Sequence, residues 1–314
     1  MISIPRILTV GSANIDLNAR TYRVPARGET VLEENRYEYL PGGKGANSAK
    51  AFAVLGGESV FAAKLGSDTH GAKLSEIYRS FGIDTRFVTC DKKERTGLAI
   101  VLTEASGDNR IIVYPGANNR LRGVDAEEAM TCYPDALYMQ LEIPDETVIA
   151  AAEFARAAGA KIFIDAGPAR KDFPLERLGP IEVFSPNEEE TFTFTGIRPT
   201  TVEACLKACL ALSARVDTKY IVLKLGGRGV YLYDGKYFNI ISPYNVEVVD
   251  STAAGDAFTA AMTLEYLRCD DMVRACRFGC VVGALTVSKP GSFTAIPSRN
   301  EVEKFMSVND IRLD

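Results

Sequence analysis

The sequence predicts an α/β fold, a mainly parallel central sheet covered by helices, with a small second β layer. Three observations point there. Apolar β-rich runs alternate with helical runs through the second half of the chain; two β-rich stretches near residues 17–40 and 96–114 break that rhythm; and polar or glycine-rich turns recur where strands end. At 314 residues the chain has room for one large α/β domain or two smaller ones, and 46% hydrophobic with 25% charged residues is ordinary for a globular protein.

The first strand is Ile7 to Val10, ending in Gly11-Ser12-Ala13-Asn14-Ile15-Asp16, where small residues leave room for a ligand. Asp16 is a fork of acceptors suited to sugar hydroxyls, or else a turn carboxylate. From Leu17 to Leu40, short polar and apolar segments broken by Pro25 and Gly28 read as a β excursion away from the sheet. Pro41-Gly42-Gly43-Lys44-Gly45-Ala46-Asn47-Ser48 then opens a helix running to about Leu55. Gly-Lys is followed by Gly45, so this is no Walker loop, and Gly43-x-Gly45-x-x-Ser48 lacks the third glycine of a dinucleotide fingerprint. Such a turn can bring amides, Lys44 and Asn47 onto a polyol; the plainer account is a helix start with Lys44 in solvent. Thr96 to Leu102 and Arg110 to Tyr114 form a hairpin around Ser106-Gly107-Asp108-Asn109, completing a small second sheet.

Beyond Gly116-Ala117-Asn118-Asn119 the pattern is regular. Leu137 to Leu141 is a strand reaching Glu142, a helix from about Asp145 stops at Gly159, and Lys161 to Ile164 leads to Asp165. Val183 to Ser185 exits into Pro186-Asn187-Glu188-Glu189-Glu190, a helix covers about Thr201 to Ala214, and Tyr220 to Leu225 ends in Gly226-Gly227-Arg228-Gly229. Tyr231 to Ile241 is a hairpin around Asp234-Gly235. Asp16, Glu142, Asn187, the Gly226 turn and Asp256 are all expected at strand carboxyl ends or just past them, where open α/β sheets bind ligands.

The organising stretch is Val248 to Phe258. It reads as a strand end, a turn of small residues and a helix continuing toward Leu267. Ala254 and Gly255 expose main-chain donors at the positive end of that helix, an anion hole, with Asp256 beside it to take a proton from an attacking hydroxyl. An acidic residue is also favoured in any first helical turn, so Asp256 alone does not decide the matter.

Several classes are excluded or disfavoured. A net charge of −5 argues against a nucleic-acid scaffold or an anionic membrane surface. No run approaches membrane-spanning length, and Met1 to Ser12 shows no secretory leader pattern. Seven cysteines with no CxxC pair fit a reduced, cytoplasmic setting, and the i,i+4 pairs Cys205/Cys209 and Cys276/Cys280 read as buried hydrophobes. The single histidine, His70, is expected in a solvated loop.

Gly11 to Asp16, Gly28-Glu29-Thr30, Gly42 to Asn47, Thr96-Gly97, Gly116 to Asn118, Met139 to Glu142, Pro186 to Glu188, Gly226 to Gly229 and Asp250 to Asp256, in this order, resemble the ribokinase branch of the PfkB carbohydrate kinases over essentially the whole chain. The resemblance implies a ribokinase-like three-layer sandwich with a β lid, transferring the ATP γ-phosphoryl to the primary hydroxyl of a furanose, foremost ribose. It implies Asp256 as base, Ala254 and Gly255 as anion hole, and Asn14, Asp16, Gly43, Lys44, Asn47 and Glu142 as sugar contacts. Asn187, Lys224, Gly226, Gly227 and Gly229 match nucleotide contacts, and Glu190 a position meeting Mg²⁺ through water. Asp250, Thr252, Thr286, Lys289 and Gly291 match a monovalent-cation site for activating K⁺, with Ala295 in place of a frequent hydroxyl. Lids of two subunits often pair into a homodimer in this branch. Asp165-Ala166-Gly167-Pro168 and Thr259-Ala260 depart from the usual runs, which leaves the choice among ribose, deoxyribose, fructose or a nucleoside open. A binding protein without turnover would be expected to lack the Asp256 carboxylate, and a nicotinamide dehydrogenase to have the full glycine fingerprint.

Overall fold

Apolar side chains alternate along the strands so that the main sheet is buried on both faces. The computed structural model describes residues 4–105 and 109–313. Chain order is β1 (Arg6–Val10), β2 (Asn14–Thr21), β3 (Tyr37–Gly42), α1 (Lys44–Val54), β4 (Glu58–Gly66), α2 (Thr69–Ser80), β5 (Asp84–Asp91), β6 (Gly97–Glu104) and β7 (Asn109–Tyr114). There follow α3 (Gly123–Ala129), β8 (Ala136–Met139), α4 (Asp145–Ala157), β9 (Lys161–Asp165), β10 (Ile181–Ser185), α5 (Glu188–Thr195), α6 (Val202–Ser213) and β11 (Thr218–Lys224). The chain ends with β12 (Val230–Tyr233), β13 (Phe238–Ile241), α7 (Ala254–Cys269), α8 (Met272–Val287) and α9 (Arg299–Val308).

Among the described residues the main sheet runs β13-β12-β11-β10-β9-β8-β1-β4-β5, parallel from β11 to β5 and antiparallel at the β11-β12-β13 edge. Leu8, Leu137, Met139, Ile162 and Ile164 pack with α3, α4 and α6 on one face, while the alternate residues Ile7, Tyr138 and Phe163 pack with α1, α7 and α8 on the other. Strands buried on both faces need such apolar runs, and the sequence supplies them. From β1 the chain winds one way to β4 and β5, then returns on the other side through β8 to β13. The carboxyl ends of β1 and β8 therefore bound the crevice where an open α/β sheet binds ligands.

The second sheet has the order β3-β2-β6-β7. Of the stretch from Leu17 to Leu40, only the ends enter strands, in β2 and β3; residues 22–36 have turns and irregular backbone. β6 and β7 pair antiparallel as the hairpin reading requires, although its turn at 106–108 lies outside the described residues.

Three expectations need correction. No strand precedes the Asp250 turn: Val248 and Val249 lie exposed on an irregular segment after the edge strand β13, where Val249 N donates to Val287 O at the end of α8 rather than to a strand. Asp16 sits inside β2 rather than past the end of β1, and Asp256 follows no strand but opens α7. His70 belongs to the first turn of α2, half-buried, its ring 5.1 Å from that of Tyr39, because the Asp68 side chain caps the helix by accepting from Gly71 N at 2.8 Å.

Candidate active site

Glycine geometry builds the floor. Gly43 has φ +90°, and a Cβ there would lie 2.8 Å from Asn14 N, so α1 starts only because this residue lacks a side chain. Ala46 N donates to Ser12 O at 2.9 Å, clamping the start of α1 onto the turn after β1. Across the switch point Ser12 donates through its hydroxyl to Glu142, which also accepts from Lys44 N at 3.2 Å. Glu142, Lys44 and Asn14 are thereby drawn to one wall. Asn14 is buried and its Oδ1 accepts from Asn118 Nδ2 at 2.7 Å, while Asn118 Oδ1 accepts from Ala13 N at 2.9 Å.

Asp256 is 4% exposed. Its Oδ2 accepts from Asn47 Nδ2 at 2.8 Å and its Oδ1 lies 3.3 Å from Lys44 Nζ. Lys44 is therefore not a solvent lysine: Asp256 foremost, then Asp165, Glu190 and Glu142, hold its ammonium well above the usual lysine range despite burial. The preceding Ala253 takes φ +61°, costly for a residue with a Cβ, and this turn aims the first amides of α7 at the cleft. Those amides have no intrahelical acceptor and carry the positive end of a 16-residue helix.

Asp16, 8% exposed, faces the same cavity, with Oδ1 lacking any hydrogen-bond partner. Burial first, then the charges of Glu142 and Asp256, push its carboxyl up to about 7. Buried Asn47 Oδ1 is likewise unpartnered. Two orphaned acceptors facing a cleft are costly unless a ligand supplies donors.

On the far side, Asn187 and Glu190 form a capping box at α5, Asn187 N donating to Glu190 Oε2 at 2.7 Å and Glu190 N to Asn187 Oδ1 at 2.8 Å. Burial raises the Glu190 carboxyl, opposed by Lys224. Lys224 Nζ meets Asp165 Oδ1 at 2.7 Å, and the 3-10 turn Gly226–Arg228 with Gly229 follows it. The segment before α7 is tied down by Asp250: Oδ1 accepts from Thr252 N at 2.9 Å and Thr252 Oγ1 at 2.6 Å, Oδ2 from Gly291 N at 3.1 Å. Its own N–H donates to Val287 O at 3.1 Å, and Lys289 N donates to Thr286 O at 3.2 Å, so all five residues singled out for a cation lie on two segments joined by these bonds. Lys289 Nζ turns away to Glu301, 2.5 Å distant.

A continuous cleft of about 780 Å³ is lined by Asn14, Asp16, Gly43, Lys44, Asn47, Glu142, Asn187, Glu190, Lys224, Gly226, Gly227, Gly229 and Thr252 through Asp256. Asp250, Thr286, Lys289 and Gly291 lie outside its lining. Sequence reasoning missed Ser12, which orients Glu142, and the partnership of Asp165 and Thr259 with Lys224. A lone serine among small residues carries no signal of its own; Asp165 stood out only as an unusual residue at a strand end.

A family model described as pfkB family carbohydrate kinase matches residues 5–299. The chain belongs to that family. This carbohydrate kinase is 33% identical over 305 residues to the ribokinase of Haemophilus influenzae, covering 96% of this chain and 98% of that one. It is 28% identical to the deoxyribokinase of Salmonella typhi over 308 residues, covering 97% and 99% of the two chains. The structure of Arabidopsis thaliana ribokinase complexed with ribose and ATP superposes on this kinase with a TM-score of 0.87 at 30% identity, covering 97% of this chain and 99% of the other. Three layers, helices on either side of a large mainly parallel sheet, are thus the fold of the kinase.

Proposed function

We propose that this kinase transfers the γ-phosphoryl of ATP to the primary hydroxyl of D-ribose, giving ribose 5-phosphate. The observation that carries the reading is the meeting of Asn47, Lys44 and Asp256 at the head of α7. Asn14, Asp16, Gly43, Lys44, Asn47 and Glu142 hold the sugar. Asn187, Lys224, Gly226, Gly227 and Gly229 receive the nucleotide. The 5-hydroxyl oxygen attacks the γ-phosphorus as its proton passes to Asp256. The bond to the β–γ bridging oxygen breaks, and ADP leaves with that electron pair. Phosphoryl transfer is mostly positioning and charge stabilisation, so the amides of Ala254 and Gly255 aimed at the equatorial oxygens supply much of the catalysis.

Among the described residues no cluster of three or more His, Cys, Asp or Glu forms a ready-made metal site. Mg²⁺ would arrive with the nucleotide, and Glu190 and Asn187 are the residues that would meet it, through its water. When bound, it neutralises phosphate charge. The Asp250–Thr252 and Thr286–Gly291 segments are the proposed K⁺ site, where Ala295 offers a methyl in place of a hydroxyl. The two β-rich stretches near 17–40 and 96–114, from which most of the second sheet comes, are proposed as a lid: Ala99, Val101, Ile111 and Val113 give it an apolar cleft face that would exclude water when closed. Its opposite face, with Tyr37, Tyr39, Ile112 and Tyr114 exposed, is proposed to pair with a second copy. The seven unpaired cysteines support a cytoplasmic setting.

Ribose is favoured over deoxyribose because Asp16 has a lone buried acceptor, and two adjacent sugar hydroxyls satisfy a carboxylate better than one. A panel of ribose, deoxyribose, fructose and nucleosides, assayed with Mg-ATP with and without K⁺, tests this. Faster turnover of deoxyribose than ribose would transfer the assignment to deoxyribose.

A further inference from the structure

Lys224 sits at the end of β11, its side chain 11% exposed, paired at 2.7 Å with an Asp165 carboxylate that is 1% exposed. A pair this deep is an expensive way to fill space, since two charges lose their water and well-packed apolar residues would serve as well. The surroundings explain what it achieves. Asp165 Oδ1 takes one N–H of the ammonium, and Thr259 Oγ1 takes a second at 3.4 Å. Thr259 is itself fixed, its hydroxyl 3.0 Å from Asp165 Oδ2 and 3.0 Å from Gly255 O. An ammonium has three donors, so one remains. A methyl built on Gly255 would lie 3.7 Å from Lys224 Nζ, which puts the charge beside the glycine of the proposed anion hole, and Lys224 lines the cleft there.

We propose that Lys224 is a catalytic cation whose free donor engages the phosphoryl group in flight, and that Asp165, with Thr259, is the positioning residue that aims it. This rests on the reading of the α7 head as the site of transfer. Among the described residues the cleft otherwise presents Asp16, Glu142, Glu188, Glu189, Glu190 and Asp256 against Lys44, a poor environment for a polyanion. Lys224 adds a second positive charge at the point where charge builds on the equatorial oxygens, in a place held before substrate arrives. A preorganised donor of this kind stabilises the transition state more than the bound ground state, so its loss falls on kcat.

The test compares wild type with Lys224→Met, Lys224→Arg, Asp165→Asn, the double variant Asp165→Asn/Lys224→Met and Asp256→Asn, using ribose and Mg-ATP. Lys224→Met is expected to lower kcat by roughly 100-fold with the KM for ATP within about threefold of wild type. Calorimetry should find ADP binding nearly unchanged and the ribose complex with ADP and aluminium fluoride, a transition-state mimic, weakened in parallel with kcat. Lys224→Arg should recover part of the rate. Asp165→Asn should lower kcat by about tenfold, yet add no loss to Lys224→Met, because it acts through the lysine. Should Lys224→Met unfold by stranding Asp165 unpaired, the neutral double variant carries the comparison, with thermal melting as the check. Wild-type kcat in Lys224→Met or in the double variant, a rise in KM alone, or additive losses would overturn the proposal. With Asp256→Asn inactive, such a result defeats only the role of Lys224; an active Asp256→Asn defeats the underlying reading of the site.

Discussion

Asn47 on α1 donates a 2.8 Å hydrogen bond to Asp256 at the head of α7, so the glycine turn proposed to receive the sugar and the helix proposed to receive phosphate share one carboxylate. Asp256→Asn keeps shape and hydrogen-bonding capacity, since the amide oxygen can accept from Asn47. It removes the site for the departing proton. The expected outcome is a fall in kcat of about 1,000-fold, with ribose and ADP affinities by calorimetry within a few-fold of wild type. Turnover near the wild-type rate would eliminate Asp256 as the base.

Asp16 makes the site pH-sensitive in a defined direction. Burial above all pushes its carboxyl up from the ordinary 3.8 to about 7. A raised carboxyl contributes stability in full below about 3.8, and that contribution is lost as pH climbs to about 7. Asp16→Asn should therefore raise the melting temperature of the ligand-free kinase, by about 2–5 °C at pH 8 and by less at pH 5. The sugar prefers the ionised form as acceptor, so wild-type ribose affinity should weaken as pH falls through about 7, while the variant binds weakly at every pH. A melting temperature lowered equally at both pH values would contradict the assignment.

What could be read in advance follows from what local pattern encodes. Continuous apolar runs such as Leu137–Met139 and Ile162–Ile164 announce strands buried on both faces, and Gly43 and Gly45 before Ala46 announce a helix start that needs bare backbone. Contacts across the chain carry no such trace. Lys224 and Asp165 are 59 positions apart, and their pairing exists only because β9 and β11 flank β10. Val248 and Val249 show the complementary limit: β-branched residues suit a strand, yet here the Val249 amide is taken by Val287 O on α8, a partner no local pattern announces.

Gly42 offers a cleaner perturbation of the sugar side. A Cβ on Gly42 would fall on the Asp16 carboxyl, closer than any real contact, and all three of its nearest atoms belong to that carboxyl. Gly42→Ala must displace Asp16. The expected result is a ribose KM raised by roughly 10–100-fold with ADP affinity unchanged and a native circular dichroism spectrum. Unaltered ribose KM would mean that Asp16 does not contact the sugar.

The outer face of the second sheet supplies the last prediction. Ile112 and Tyr114 on β7 and Tyr37 and Tyr39 on β3 stand on the side away from the cleft, and Ile112 is 53% exposed. An apolar face of this kind at the edge of a four-stranded sheet is an aggregation hazard when bare. Two copies pairing by this face would cover it at no cost to the cleft side, which Ala99, Val101, Ile111 and Val113 line. Ile112→Lys places a charge in that interface. Light scattering after gel filtration should then give the mass of one chain where wild type gives two, with kcat within about threefold because the residue touches neither substrate. A wild-type chain that runs as a monomer, or a variant that still runs as a dimer, would remove this face as the point of association.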